Sequence, residues 1–300
     1  MSIRKILLAA SAAMLLSACG GGETTTAPVK EVAAKTKATA TASLDEILAA
    51  QSDKAKARYQ YRNPKETLAF FGIEPGMTVV EVLPGGGWYT KILLPHLGDD
   101  GHLIGVDYPL AMWPEFGGFA DEAFIEKKKT WPADWTGKAD AWRAGSKAEL
   151  SAFAFDNIDP ALEGKADAVL FMRALHNLSR FEEAGGYLTA AMGEVHKVLK
   201  PGGIVGVVQH QAPETNSAEA TNGSHGYLKK STLVAQMKAA GFELIKSSDI
   251  NANPKDTPNN EEIVWRLKPS LRGNDDNPEQ KAIYEAIGES NRMTLLFKKL

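Results

Sequence analysis

The segment "VVEVLPGGGWYT", residues 79–90, restricts the fold of this chain more than any other. Its β-branched apolar run reads as a buried strand, which breaks after Glu81 into a turn with three successive glycines before a helical pattern over residues 88–97. Glycines at such a junction permit positive φ and let a ligand lie against bare backbone. The free N–H groups that open the following helix favour negative charge. A second strand-like run follows at residues 102–107, so the unit is strand, helix, strand, and it closes as a right-handed parallel crossover.

The alternation continues to the end of the chain. After the strand at 77–82 and its partner at 102–107, the pattern predicts strands at 150–155, 168–172, 203–209, 242–248 and 293–298. Helices are predicted over 44–58, with Ser43 as N-cap, over 63–72, with Asn63 as cap and Pro64 in the first turn, and over 181–199, 231–240 and 278–287. Seven strands with near-continuous apolar cores and interleaved helices describe a doubly wound α/β sheet covered on both faces. Residues 108–145, with Trp113, Trp131, Trp135 and Trp142 among Gly and Pro, read as an irregular lid or aromatic platform, and residues 211–226 as a second long loop.

The chain begins with a basic head, "MSIRK", and the apolar run "ILLAASAAMLLSA", which is short for a bilayer span and reads as an export signal. Leu16-Ser17-Ala18-Cys19 resembles the lipobox of bacterial lipoproteins. That resemblance implies that residues 1–18 are removed, that Cys19 is the lipidated first residue, and that the protein sits on the periplasmic side of a bacterial membrane. Residues 19–43, rich in Gly, Thr, Ala and Lys, hold too little bulky apolar surface to order themselves and read as a flexible tether. Residues 44–300 are then a single domain. Cys19 is the only cysteine, so that domain has no internal disulfide and no thiolate metal site. A net charge of -3 gives no whole-chain reason to expect nucleic acid or an anionic membrane surface as partner, local patches aside, and the lipid on Cys19 is the membrane contact that the lipobox implies.

Three nucleotide-binding readings compete for the glycine turn. A Walker P-loop needs a Lys-Ser/Thr pair that "PGGGWYTK" does not supply. The dinucleotide fingerprint needs a glycine where Thr90 stands. The third reading is the class I S-adenosylmethionine-dependent methyltransferases, whose first motif "EVLPGGG" resembles, with Glu81 as the acidic residue, Gly85 and Gly87 as the second and third glycines, and Leu83 where the first should be. "GHLIGVDYP" looks like the second strand of that family, "ADAVLFMRALHNL" like the fourth and its exit, and "LKPGGIVGVV" like the turn into the fifth. "AAGFELI" and "RMTLLFKKL" look like the last two strands, which form an antiparallel hairpin in the family. More narrowly, "FMRALHNL", "VVQHQAP" and "SHGYLKKSTLVAQMKAAGF" resemble a group of bacterial predicted methyltransferases, many of them exported.

The resemblance covers residues 61–300 and implies a Rossmann-like methyltransferase fold with an antiparallel last strand. S-adenosyl-L-methionine is the implied cofactor, held by Glu81, Gly85, Gly86, Gly87, Asp107 (on the ribose hydroxyls) and Asp156 (with Asn157, beside the adenine). Candidates for removing a proton from the acceptor are His176, just past the fourth strand, His210, just past the fifth, and His225 in the following loop, since histidine titrates near working pH. No two of the three stand at i, i+4, so no metal is expected; His96, His102 and His196 read as structural. Three functions follow: methyl transfer to a small molecule, envelope component or protein side chain; ligand binding by a non-catalytic envelope protein that retains the fold; and, against the histidine spacing, a metal-dependent hydrolase on His176 and His210.

Overall fold

The computed structural model describes residues 42–274 and 276–300. The leader, Cys19 and the tether up to residue 41 lie outside the described residues. The chain opens with α1 (Leu44–Ala49), α2 (Asp53–Lys56), α3 (Tyr59–Arg62) and α4 (Pro64–Phe71), followed by β1 (Thr78–Val82), α5 (Thr90–Leu97) and β2 (His102–Asp107). Next come α6 (Glu122–Lys129), α7 (Trp131–Asp140), β3 (Glu149–Ala154), β4 (Ala166–Met172), α8 (Leu175–Arg180), α9 (Glu182–Gly185) and α10 (Tyr187–Val198). The last third is β5 (Leu199–His210), α11 (Lys230–Ala239), β6 (Phe242–Ser248), α12 (Pro278–Ile287) and β7 (Arg292–Lys299).

The seven strands form one sheet in the order β3-β2-β1-β4-β5-β7-β6. Pairing is parallel from β3 through β5, and β7 runs antiparallel to both β5 and β6. This is the Rossmann-like methyltransferase fold. The central strands bury both faces, which explains their unbroken apolar runs: Val80, Val82, Val169 and Phe171 join one core, while Val79, Ala168 and Leu170 join the other. The first core packs under α8, α10 and α11 through Leu175, Met192 and Leu233. The second packs under α1, α4, α5 and α7 through Leu48, Leu68, Leu93 and Ala139.

Several predicted elements differ. The helix expected over 44–58 is three short ones: Ser43 caps α1 in a reciprocal box with Glu46, but Ser52 caps again and restarts the chain. Asn63 makes no side-chain cap; it takes φ +37 and its amide donates to the Ile250 carbonyl at 2.6 Å. The helix expected over 181–199 is broken at Gly186, φ +64, where the Glu182 carboxylate accepts the Leu188 and Thr189 N–H groups. Residues 108–145 hold α6 and α7, which Pro132 and Gly137 hid from a periodicity reading. The Trp135 ring of α7 fills the space over Gly105 of β2, where a Cβ would stand 2.7 Å from it. Strands β6 and β7 do pair antiparallel, but the long segment 249–291, rather than a hairpin turn, joins them.

Candidate functional site

The turn after β1 is shaped by backbone that side chains rarely tolerate. Leu83 takes φ +50, Gly85 +54 and Gly87 +74, with the Leu83 N–H donating to Val106 O at 2.7 Å. A left-handed leucine costs about 1–2 kcal/mol, so the chain keeps at Leu83 the conformation for which a glycine would be expected. One strand over, Arg173 leaves β4 in the same way, at φ +65, with its N–H on Val208 O at 2.7 Å. Strained residues side by side at two strand exits point to a site rather than to packing alone.

Between them opens a cleft of about 760 Å³. Leu83, Pro84, Gly85 and Gly86 form one wall, Met172, Arg173, His176 and Asn177 another, and His210 stands at the end of β5. Arg58, Arg62 and Trp88 border it from one side, and Trp265 and Lys268, from the segment 249–291, from the other. It therefore lies at the carboxyl ends of β1, β4 and β5, where open α/β sheets bind ligands.

The cleft is strongly cationic. Lys54, Arg58, Arg62, Lys91, Arg173, Lys268 and Arg292 border it, and among the described residues no Asp or Glu does. Behind this wall stands one buried carboxylate, Glu289, which accepts from Arg58 Nε at 2.5 Å, Arg62 Nε at 3.3 Å and Arg292 Nη2. Burial works to raise the Glu289 pKa, but the guanidiniums of Arg292, Arg62 and Arg58 outweigh it and hold the carboxyl at about 2. Burial pulls Arg62 down to about 10, with the like charges of Arg58 and Arg292 opposing Glu289. Burial likewise drives Arg173 well below the ordinary range, with Arg62 and Arg292 adding repulsion. Two N–H groups of this wall, Arg292 Nε and Trp88 Nε1, are buried with no partner. The Arg62 guanidinium lies 4.5 Å over the Trp88 ring.

His176 and His210 meet in the cleft, their rings 5.6 Å apart, and Trp265 packs against the first at 5.9 Å. Burial lowers the His176 pKa to about 4, and burial together with Arg292, His176 and Arg173 holds His210 well below the ordinary value. Ser290 Oγ lies 2.5 Å from His210 Nδ1, and Gln209 Nε2 lies 3.4 Å from His176 Nδ1. Both rings are therefore neutral at neutral pH and weaker bases than a free histidine. His225 is not with them: it does not line the cleft, and its carbonyl accepts the Val264 N–H at 2.8 Å. Among the described residues no group of three or more His, Cys, Asp or Glu is arranged to hold a metal.

The side expected to hold the nucleoside is closed. Asp107 ends β2 with 3% of its surface exposed; Oδ1 accepts its neighbour Tyr108's N–H and Oδ2 accepts Lys128 Nζ of α6, each at 2.8 Å. Burial raises its pKa, against the opposing pull of Lys128 and that N–H. Lys128 Nζ also lies 3.7 Å over the Trp113 ring. Gly87 faces the Trp142 ring, which a Cβ would meet, so it supports the lid rather than the cleft. Glu81 is buried beneath the turn, accepts the Thr90 hydroxyl at 2.7 Å, and is raised to about 7 by burial against the effects of Thr90 and Arg173. Asp156 is exposed and does not line the cleft.

Of the sequence-derived candidates, Gly85, Gly86, His176 and His210 thus border one cavity, whereas Glu81, Gly87, Asp107, Asp156 and His225 do not. The residues that give the cavity its character, Arg58, Arg62, Arg173 and Arg292, were not singled out. Arg173 carries a legible signal, an arginine directly at the exit of an apolar strand in "LFMRAL".

No protein-family model matches the sequence, and no curated protein does. Solved structures that resemble it include the (4+2)-cyclase SpnF, at 17% identity over 80% of each chain with a TM-score of 0.48. A SAM-dependent methyltransferase from Aquifex aeolicus matches at 13% identity over 86% of this chain and 100% of its own, TM-score 0.48. The 1,6-didemethyltoxoflavin-N1-methyltransferase of Burkholderia thailandensis, with bound 1,6-didemethyltoxoflavin and S-adenosylhomocysteine, matches at 14% over 82% and 81%, TM-score 0.45. Likeness this distant carries no functional argument; the chain's own geometry must.

Proposed function

We propose that this protein is an S-adenosylmethionine-dependent methyltransferase, acting as an exported lipoprotein on an acceptor bound in the cleft. The observation that supports it is the turn over residues 83–86, left-handed at Leu83 and Gly85, which walls a cleft at the exits of β1 and β4 while a buried carboxylate, Asp107, ends the next strand. The fit to the cofactor is good at the glycine turn, where bare backbone borders open space. At Asp107 it requires that Lys128 leave the carboxylate, which a lysine on the helix of an inserted lid can do. The cofactor supplies an electrophilic methyl group. The chain's own residues orient and exclude water: Asn177, His176 and His210 offer neutral polar groups, and Trp88 and Trp265 flank the opening.

Calorimetry with S-adenosylhomocysteine tests this reading: micromolar binding that Asp107→Ala abolishes supports it, and absence of heat in wild type and in Lys128→Ala contradicts it. A second reading, anion binding without transfer, is favoured by one observation, that both Asp107 oxygens are already taken. It predicts no binding of S-adenosylhomocysteine even when Lys128 is removed. Lipidation at Cys19 is tested by growth with a labelled fatty acid; an unlabelled wild-type protein, matching Cys19→Ala, would overturn it.

A further inference from the structure

We infer that the cleft takes a small ligand with at least two negative charges, an oxyanion of the phosphate-ester or polycarboxylate class, bound at the Arg58, Arg62, Arg173 and Arg292 wall. Arg58, Arg62 and Arg292 share a single carboxylate, Glu289, and Arg173 stands beside them with none, so this wall carries three positive charges beyond its internal balance (4 − 1 = 3). Arg173 has neither a carboxylate within 4 Å nor a side-chain hydrogen bond among the described residues. Its neighbours Arg62 and Arg292 are 5% and 2% exposed.

Uncompensated charge of this kind is costly to fold around, and removing one partner of a buried pair shows the cost. A chain that retains it is balanced by something outside itself. Guanidiniums match oxyanions in a forked, two-bond geometry, and the orphaned Arg292 Nε adds a further donor without a partner. A concave, half-open cleft of about 760 Å³ has the size of a small-molecule site.

The cofactor proposed above does not supply the missing charge. Its amino-acid end is a zwitterion, and its sulfonium is a second cation, so three surplus positive charges would repel as much of it as they attract. The wall is therefore separate from the cofactor and belongs to the acceptor, a designation that rests on the proposed function, whereas the anion site does not. An acceptor of this class arrives already ionised, in keeping with His176 and His210, which are held neutral and are weak bases.

The test is titration of the full protein with pyrophosphate and, separately, with citrate at low ionic strength, read by tryptophan fluorescence from Trp88 and Trp265. We expect saturable binding of at least one, weakened tenfold or more by Arg173→Met and unaffected by Lys238→Met on the exposed face of α11. Preference for pyrophosphate assigns a phosphoryl ligand, and preference for citrate a carboxylate one. Should Arg173→Met fail to fold, Arg173→Lys retains the charge without the fork and is expected to weaken binding several-fold. Absence of saturable binding to folded wild type, or equal binding by the Arg173 variant, overturns the inference. S-adenosylhomocysteine is titrated in the same preparation. If it binds while neither anion does, the anion site is wrong and the methyltransferase reading survives; if an anion binds and it does not, the reverse holds. One-for-one competition between them would mean that the arginines hold the cofactor's carboxylate, and would also overturn the inference.

Discussion

Arg266 and the arginine wall of the cleft are both set into the protein, and they differ in balance. In the segment 249–291, Arg266 Nη2 meets Asp256 Oδ1 at 2.9 Å, its Nε meets Glu262 at 2.9 Å, and its Nη1 donates to the Tyr227 hydroxyl at 2.7 Å. Asp256 in turn accepts the Tyr227 hydroxyl and the Asn291 N–H. Burial opposes the charge on Arg266, and Tyr227 and Asp256 outweigh it, so its pKa is raised. At the cleft, burial and like charge push Arg62 and Arg173 the other way. The first cluster closes on itself and fixes the long crossover that carries Trp265 and Lys268 to the cleft. The second is closed only by a ligand. Burial alone does not separate a structural arginine from a binding one; the count of charges around it does.

The comparison breaks most readily at Asp256. Removing it as Asp256→Ala leaves Arg266 Nη2, the Tyr227 hydroxyl and the Asn291 N–H without their buried acceptor, with Glu262 still on Arg266 Nε, and we expect a loss of about 3–5 kcal/mol in urea unfolding. A loss under about 1 kcal/mol would mean that the balance is not what holds the segment.

The next effect is on acid stability. His176 has a folded pKa of about 4 against an ordinary 6.5, so between these values the unfolded chain binds a proton that the folded one refuses. Stability is unaffected above pH 6.5, falls as pH drops through this window, and is lower by about 3 kcal/mol at pH 4. Glu289, held at about 2, adds a second loss between pH 4.5 and 2. Unfolding curves of His176→Gln, which keeps only the His210 share of the first window, should diverge from wild type below pH 6.5.

Smaller effects sharpen the contrast between the two halves of the cleft. Lys128→Ala removes a charge-assisted bond worth about 1.5–3 kcal/mol from Asp107, so S-adenosylhomocysteine affinity should rise about tenfold by calorimetry. Arg173→Met, in contrast to Asp256→Ala, should change stability by less than about 1 kcal/mol or raise it, because no internal partner is lost. A large destabilisation would make Arg173 a structural residue and merge the two clusters into one kind.

The sheet was legible because each signal for it was local. A β-branched run, a glycine turn and a helical stripe are read within a dozen residues, and the bounds of β2, β6 and α12 follow from them. The lid was not, since α6 and α7 carry few apolar residues and α7 holds Pro132 in its first turn and Gly137 inside; Trp135 packs where Gly105 of β2 leaves room for its ring. The site was legible in part for the same reason. Gly85, Gly86, His176 and His210 lie at strand exits and share a cavity once the strand order is known. Arg58, Arg62, Arg173 and Arg292 converge from three distant parts of the chain, and Lys128 reaches Asp107 from an insert. No local pattern encodes such meetings.

The proposed function turns on whether the closed carboxylate opens to a nucleoside. Calorimetric titration of S-adenosylhomocysteine into wild type, Asp107→Ala and Lys128→Ala decides it. We expect micromolar binding in wild type, loss in Asp107→Ala and tighter binding in Lys128→Ala; no heat in either wild type or Lys128→Ala would contradict a methyltransferase and leave an anion-binding protein on a methyltransferase fold.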